Sequence, residues 1–205
     1  MENEVKEPAY KYNYLSAEEY LEMERKAVEK TELHEGVLVS MSDVSEDGVT
    51  MAGASLKHNQ VIGNLIGAIN PFLKGKSCSV FPSDLRVYIP GNNSFTYPDI
   101  TIVCGKPELT DDNFDTVLNP SVIIEVLSPS TENYDRGNKF FIYQQIDSLK
   151  EYILINSTYS KVQVITKKDT AVWKFETVTD LTSSFFIETI SLNIKLQDVY
   201  DKVDF

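Results

Sequence analysis

Apolar residues fall at random along residues 1–14, which read as a flexible lead-in, and take up regular spacings from residue 15 onward. Ser16 followed by Glu19 forms the sequence of a capping box. Tyr20, Leu21, Met23 and Ala27 continue it as a helix to about Lys30. Thr31 to Met41 alternates about Glu35-Gly36 and predicts a hairpin, and Ser42 to Thr50 reads as an acidic loop. Leu56, Val61, Ile62, Leu65, Ile66, Ile69 and Phe72 recur at three and four and predict an amphipathic helix from Ser55 to about Pro71. Strands follow at Ser77–Phe81, Leu85–Ile89, Asp99–Val103 and Val122–Leu127. After a helix over Arg136–Ile146 come strands at Tyr152–Ile155, Lys161–Thr166, Val172–Phe175 and Phe185–Ile187, and a last helix from Leu196 to Val203. This order predicts a mixed α/β (α+β) domain over residues 15–205, one mixed sheet flanked by helices.

Composition narrows the picture. With 205 residues, 42% hydrophobic and 24% charged, the chain can bury one core, which excludes disordered, collagenous and disulfide-scaffold classes. The 19 basic against 31 acidic residues leave a net charge of −12, so the surface repels nucleic acid and anionic membranes. A nucleic-acid substrate therefore requires local concentration of cations, for which Lys57, Lys74, Lys76, Arg86, Arg136 and Lys139 are the candidates, or a bound metal. Cys78 and Cys104 form no CxxC pair and are too few for a staple framework, which points to a reducing, cytoplasmic setting and away from zinc. The amino terminus lacks a signal-peptide core, and no later run is long enough to span a membrane, so no membrane partner is expected.

One carboxylate stands out against this background. Glu125 lies in Val122-Ile-Ile-Glu-Val-Leu127, a run otherwise fit for the centre of a sheet, where an ionised group needs a partner or a cation. Alternation after Pro98 sends Ile100 and Ile102 to one face and Asp99, Thr101 and Val103 to the other, so Asp99 and Glu125 can meet on neighbouring strands. Lys139, near the start of the next helix, completes a set suited to a hard cation. Asp99, Glu125 and the Val126 carbonyl would be its oxygen ligands, and the ammonium would serve a metal-bound water or the scissile phosphate. Each residue also has a plainer reading: a strand-flanking carboxylate for Asp99, an ion-paired core glutamate for Glu125 and a solvated helix lysine for Lys139.

Tyr97-Pro98-Asp99, Pro120-Ser-Val-Ile-Ile-Glu125-Val-Leu-Ser-Pro-Ser-Thr131, then Asp135, Lys139 and Tyr143, and Glu151-Tyr152, resemble the Uma-type family of putative restriction endonucleases, a bacterial branch of the PD-(D/E)XK nucleases. The likeness runs from about Leu15 to Val203 and also touches Glu32-Leu-His-Glu-Gly36 and Lys57-His58. It implies a restriction-endonuclease-like core and hydrolysis of DNA phosphodiesters dependent on Mg²⁺, with Mn²⁺ as a substitute. Where a typical superfamily member has Glu-x-Lys, this chain has Glu125-Val126-Leu127, so the lysine role passes to Lys139, as this family generally arranges it.

Three further residues are secondary candidates. Glu32 would add an acid from an edge strand, His58 would reach a phosphate or metal-bound water from the head of the long helix, and Asp84 lies in a turn; each has an equally simple surface or packing role. Asp135 reads as a helix cap, and Tyr134, Tyr143, Tyr152 and Tyr159 as core or rim. A homodimer is expected by analogy with nucleases that cut two strands. The alternative reading keeps the nuclease fold as a catalytically inactive binding or assembly module, which suits the acidic charge.

Overall fold

The computed structural model describes residues 14–40, 55–113 and 115–205; the lead-in through residue 13 and the acidic loop at 42–50 lie outside the described residues. Helix α1 (Ala17–Glu24) starts at the Ser16–Glu19 capping box and stops at Arg25, short of Lys30. β1 (Thr31–His34) and β2 (Val37–Ser40) form the expected hairpin, its turn at Glu35 (φ 49°) and Gly36 (φ 80°). Tyr14, counted with the lead-in, bridges to Val37, and its ring covers Gly36 so closely that a Cβ there would lie 2.2 Å from it. α2 (Leu56–Leu73) runs through Pro71, whose missing N–H is borne in the last turn.

The remaining elements are β3 (Cys78–Pro82), β4 (Arg86–Ile89), β5 (Ser94–Thr96), β6 (Ile100–Cys104), β7 (Thr116–Val117), β8 (Val122–Leu127), α3 (Glu132–Tyr134), a π-helical turn (Asp135–Lys139) and α4 (Phe140–Tyr143). They continue with β9 (Glu151–Asn156), β10 (Val162–Asp169), β11 (Val172–Val178), β12 (Ser184–Ile187), β13 (Leu192–Lys195) and α5 (Leu196–Val199). The central sheet is mixed, in the order β11-β10-β9-β8-β6-β3, with β8 parallel to β9 and antiparallel to β6. The other strands make a five-stranded sheet, β2-β1-β5-β4-β7, and a β12–β13 hairpin, where the sequence pattern reads as one sheet.

Alternation along β8 sets the two faces of the central sheet. Val122, Ile124 and Val126 pack with Val61, Leu65 and Ile69 of α2, while Ile123 and Leu127 pack with Ile142 and Tyr143 of α4 and with Val87, Ile89 and Val117 of the second sheet. Glu125 belongs to the second face. It therefore sits in the layer between two sheets, with the π-helical turn closing over it.

Cys78 and Cys104 stand opposite each other in the β3–β6 register and are joined by a disulfide. This corrects the expectation of two unconnected thiols, because strand pairing brings together residues 26 positions apart in sequence. Disulfides persist where thiols are kept oxidised, so the bond removes the cysteine argument for a reducing setting. Among the described residues, no helix is long and apolar enough to cross a membrane.

Candidate active site

Pro98 shapes the site first. The pairing of Ile100 with Ile124 carries Pro98 opposite Val126, and proline has no N–H to give that residue's carbonyl. On the β9 side, the Leu127 carbonyl is taken by the Ser157 N–H. On the β6 side, Val126 is left to side chains: its N–H donates to Asp99 Oδ2 at 2.8 Å, and its carbonyl faces the His58 ring. The Asp99 N–H in turn donates to Glu125 Oε2 at 3.1 Å. The ladder gives way to two carboxylates and a carbonyl where the strand pairing ends.

Lys139 comes to this pair from the π-helical turn. Its Nζ lies 3.1 Å from Glu125 Oε1, 3.4 Å from Glu32 Oε1 and 3.5 Å from Asp135 Oδ1, and its side chain is only 7% exposed. The solvated-lysine reading is therefore excluded. The Tyr143 hydroxyl donates to the same Glu125 oxygen at 3.0 Å. Glu32 closes the far side, its Oε1 accepting the Tyr97 N–H at 2.9 Å and its Oε2 accepting the Tyr134 hydroxyl at 2.9 Å with His34 Nε2 at 3.0 Å.

Three carboxylates thus share one ammonium, with Asp99 as a fourth acid beside Glu125 and imidazoles at the edge. Burial pushes the Glu125 carboxyl well above its ordinary range; Lys139 pulls it down, but Asp135, Asp99 and Glu32 add to the rise. Burial also raises Asp135. For Glu32, burial acts upward too, yet Lys139, His34 and the Tyr97 N–H outweigh it and hold the carboxyl at about 2. Burial would lower Lys139, but Glu125 and Glu32 keep it charged and well above an ordinary lysine.

This donor set fits a hard divalent cation. One ammonium does not balance the acids around it, and the oxygens of Asp99, Glu125 and Val126 are of the type that Mg²⁺ and Mn²⁺ take. Among the described residues, no three His, Cys, Asp or Glu side chains are already disposed as a metal-ligand group, so the fit rests on two carboxylates and a carbonyl.

Of the secondary candidates, Glu32 and His58 join the cluster, His58 Nε2 lying 3.2 Å from Asp99 Oδ2. Asp84 does not: it is 86% exposed and paired with Lys30. The expected gathering of cations is not formed either. Arg86 is buried and paired with Asp115, Arg136 is paired with Glu132, and Lys139 is spent on the acids, because each buried or half-buried cation is drawn to a local carboxylate. Lys57 and the Lys74–Lys76 pair flank opposite ends of α2, about 27 Å apart for an 18-residue helix. The sequence pattern marks neither His34 nor Tyr134 as a site residue. Glu32 and His34 are two apart on a strand and share a face, which was the available signal for His34.

A family model described as "Uma2: Putative restriction endonuclease" matches residues 17–196. Two uncharacterized proteins of Synechocystis sp. (strain ATCC 27184 / PCC 6803 / Kazusa) are similar along most of their length. The first, sll1609, is 34% identical over 78% of this chain and 84% of its own, and slr1290 is 32% identical over 81% of each. Among solved structures, a putative nuclease belonging to DUF820 from Anabaena variabilis superposes with a TM-score of 0.68 at 17% identity, covering 91% of this chain and 97% of that one, which establishes a shared fold.

Proposed function

Because the chain belongs to the Uma2 family of putative restriction endonucleases, we propose that it hydrolyses DNA phosphodiesters at a divalent cation, Mg²⁺ or in its place Mn²⁺, held by Asp99, Glu125 and the Val126 carbonyl. The observation that carries this reading is the bond from the Asp99 N–H to Glu125, which joins the two expected ligands from separate strands, with Lys139 on the same carboxylate. A cation bound there supplies charge to polarise the phosphodiester and to lower the pKa of a water.

The chain's own groups do the rest. Lys139 and Tyr143 fix one Glu125 oxygen, so the other is presented towards Asp99 in a set orientation. Glu32 and Asp135 hold the Lys139 ammonium in place. Two sites are needed to cut both strands of a duplex, so the reading extends to a homodimer, which sedimentation at twice the chain mass would support and at single mass would remove.

The deciding experiment is cleavage of supercoiled and single-stranded DNA in Mg²⁺ or Mn²⁺, with Glu125→Ala purified in parallel. Metal-dependent cutting absent from the variant supports the nuclease. No cutting in either metal at low salt favours the inactive nuclease-fold module, a reading supported by the net charge of −12 and by cations committed to internal pairs.

A further inference from the structure

The buried stripe of α2 runs Val61, Leu65, Ile69 and Leu73, and three residues before Val61, on the same side of the helix, stands His58. An imidazole thus stands where the stripe calls for an apolar side chain. Its place on the helix is fixed, since the His58 N–H donates to the capping Ser55 hydroxyl at 3.2 Å. From there the ring crosses to the ends of β6 and β8. Its Nε2 meets Asp99 Oδ2 at 3.2 Å and the ring faces the Val126 carbonyl, two of the three groups assigned to the cation. Nδ1 is buried without a hydrogen-bond partner, so the ring's orientation is set by what lies at Nε2.

We infer that His58 is a further protein ligand of the Asp99–Glu125 site, binding through Nε2 and turning its preference from Mg²⁺ towards Mn²⁺. The inference rests on the metal-site reading above. Two adjacent ligands of an octahedral ion, each at about 2.1 Å, stand roughly 3 Å apart, which is the spacing of Nε2 and the Asp99 oxygen. In the metal-free arrangement the two atoms face each other as an imidazole–carboxylate pair. The ion would lie between them: the ring would bind as a neutral imidazole with its N–H on Nδ1, any proton on Nε2 passing to Nδ1 or to solvent as the nitrogen–metal bond forms.

Selectivity follows from the nitrogen. Mg²⁺ is a hard ion that keeps oxygen ligands and much of its water, whereas Mn²⁺ accepts carboxylate and imidazole together and stands with the first-row ions whose affinity for nitrogen rises along the series. A site of two carboxylates and a carbonyl alone would show little such preference.

The test is Mn²⁺ binding to the full chain, followed by the electron paramagnetic resonance of the ion, with Mg²⁺ as competitor. Wild type is expected to bind Mn²⁺ roughly tenfold or more tightly than Mg²⁺, and its pulsed spectrum is expected to show coupling to a nitrogen nucleus. His58→Gln should lose that coupling and roughly tenfold or more in Mn²⁺ affinity, with Mg²⁺ affinity little changed. His34→Gln, the control at the chain's other histidine, should keep the coupling. If His58→Gln does not fold, the coupling and the ion ratio in the wild-type and His34→Gln proteins decide. Mn²⁺ binding that depends on Asp99 but shows no nitrogen coupling, or is as tight or tighter in His58→Gln, overturns the role of His58 and leaves the metal site standing. Mn²⁺ binding that is absent, or indifferent to Asp99→Asn, overturns both.

Discussion

Two glutamates, Glu125 on β8 and Glu151 on the adjoining β9, are both fully buried and point to opposite faces of one sheet. Glu151 accepts the N–H of Glu188 at 2.9 Å and of Thr189 at 2.7 Å, and so holds the turn between β12 and β13. Backbone donors satisfy it locally. Glu125 accepts a single backbone N–H, from Asp99, takes its other bonds from the Lys139 and Tyr143 side chains, and lies among three other carboxylates, so its charge is under-compensated. Burial of an acid is therefore a poor marker of chemistry. What distinguishes the two is the kind of group that satisfies each: fixed amides leave nothing for an ion to do, and crowded acids leave room for one.

The sharpest way to break this contrast is Glu125→Gln. DNA cleavage should fall by at least about 10³-fold with loss of a cation ligand, while thermal unfolding should show stability kept or raised as a repelled carboxylate is removed. Glu151→Ala should do the reverse. Two buried N–H groups lose their acceptor, which should cost about 3 kcal/mol in denaturant unfolding and leave cleavage per folded molecule near wild type.

Glu32→Gln tests the acid in the cluster whose carboxyl is held below its ordinary range. A folded value of about 2 against an ordinary 4.5 makes its ionisation worth on the order of 3 kcal/mol. Because the folded value is depressed, the wild-type advantage should be full above pH 4.5 and shrink as pH falls towards about 2, measured as the difference in unfolding free energy between the two proteins. Pro98→Ala is the mildest change and makes Val126 resemble the neighbourhood of Glu151. It supplies an N–H to the Val126 carbonyl, and should weaken Mn²⁺ binding several-fold in titration with stability altered by less than about 1 kcal/mol.

Much of this is legible in the sequence. The run Val122–Leu127 is apolar but for one acid, and its bounds match β8; the period of α2 and the hairpin turn at Glu35-Gly36 are equally plain. Asp99 could be paired with Glu125 because strict alternation after Pro98 leaves one choice of face. Short strands were not legible: β5 and β7 have three and two residues, too few to show a period, and β13 follows β12 across a four-residue turn. The Cys78–Cys104 bond depends on the β3–β6 register, and the approach of Glu32 to Lys139 on the packing of two sheets, neither of which is written in local sequence.

The π-helical turn at Asp135–Lys139 has a consequence for chain length. In a regular α-helix, four residues overshoot a full turn by about 40°, so side chains at 135, 139 and 143 would fan out around the axis. The wider turn across the first interval offsets the drift in the second, and Asp135, Lys139 and Tyr143 stay aligned on the Glu125 side. Gly137 and Asn138, within that turn, face solvent. Their identities are free to vary, but their number is not: deleting either would rotate one half of the segment against the other and leave Glu125 facing the wrong side chains.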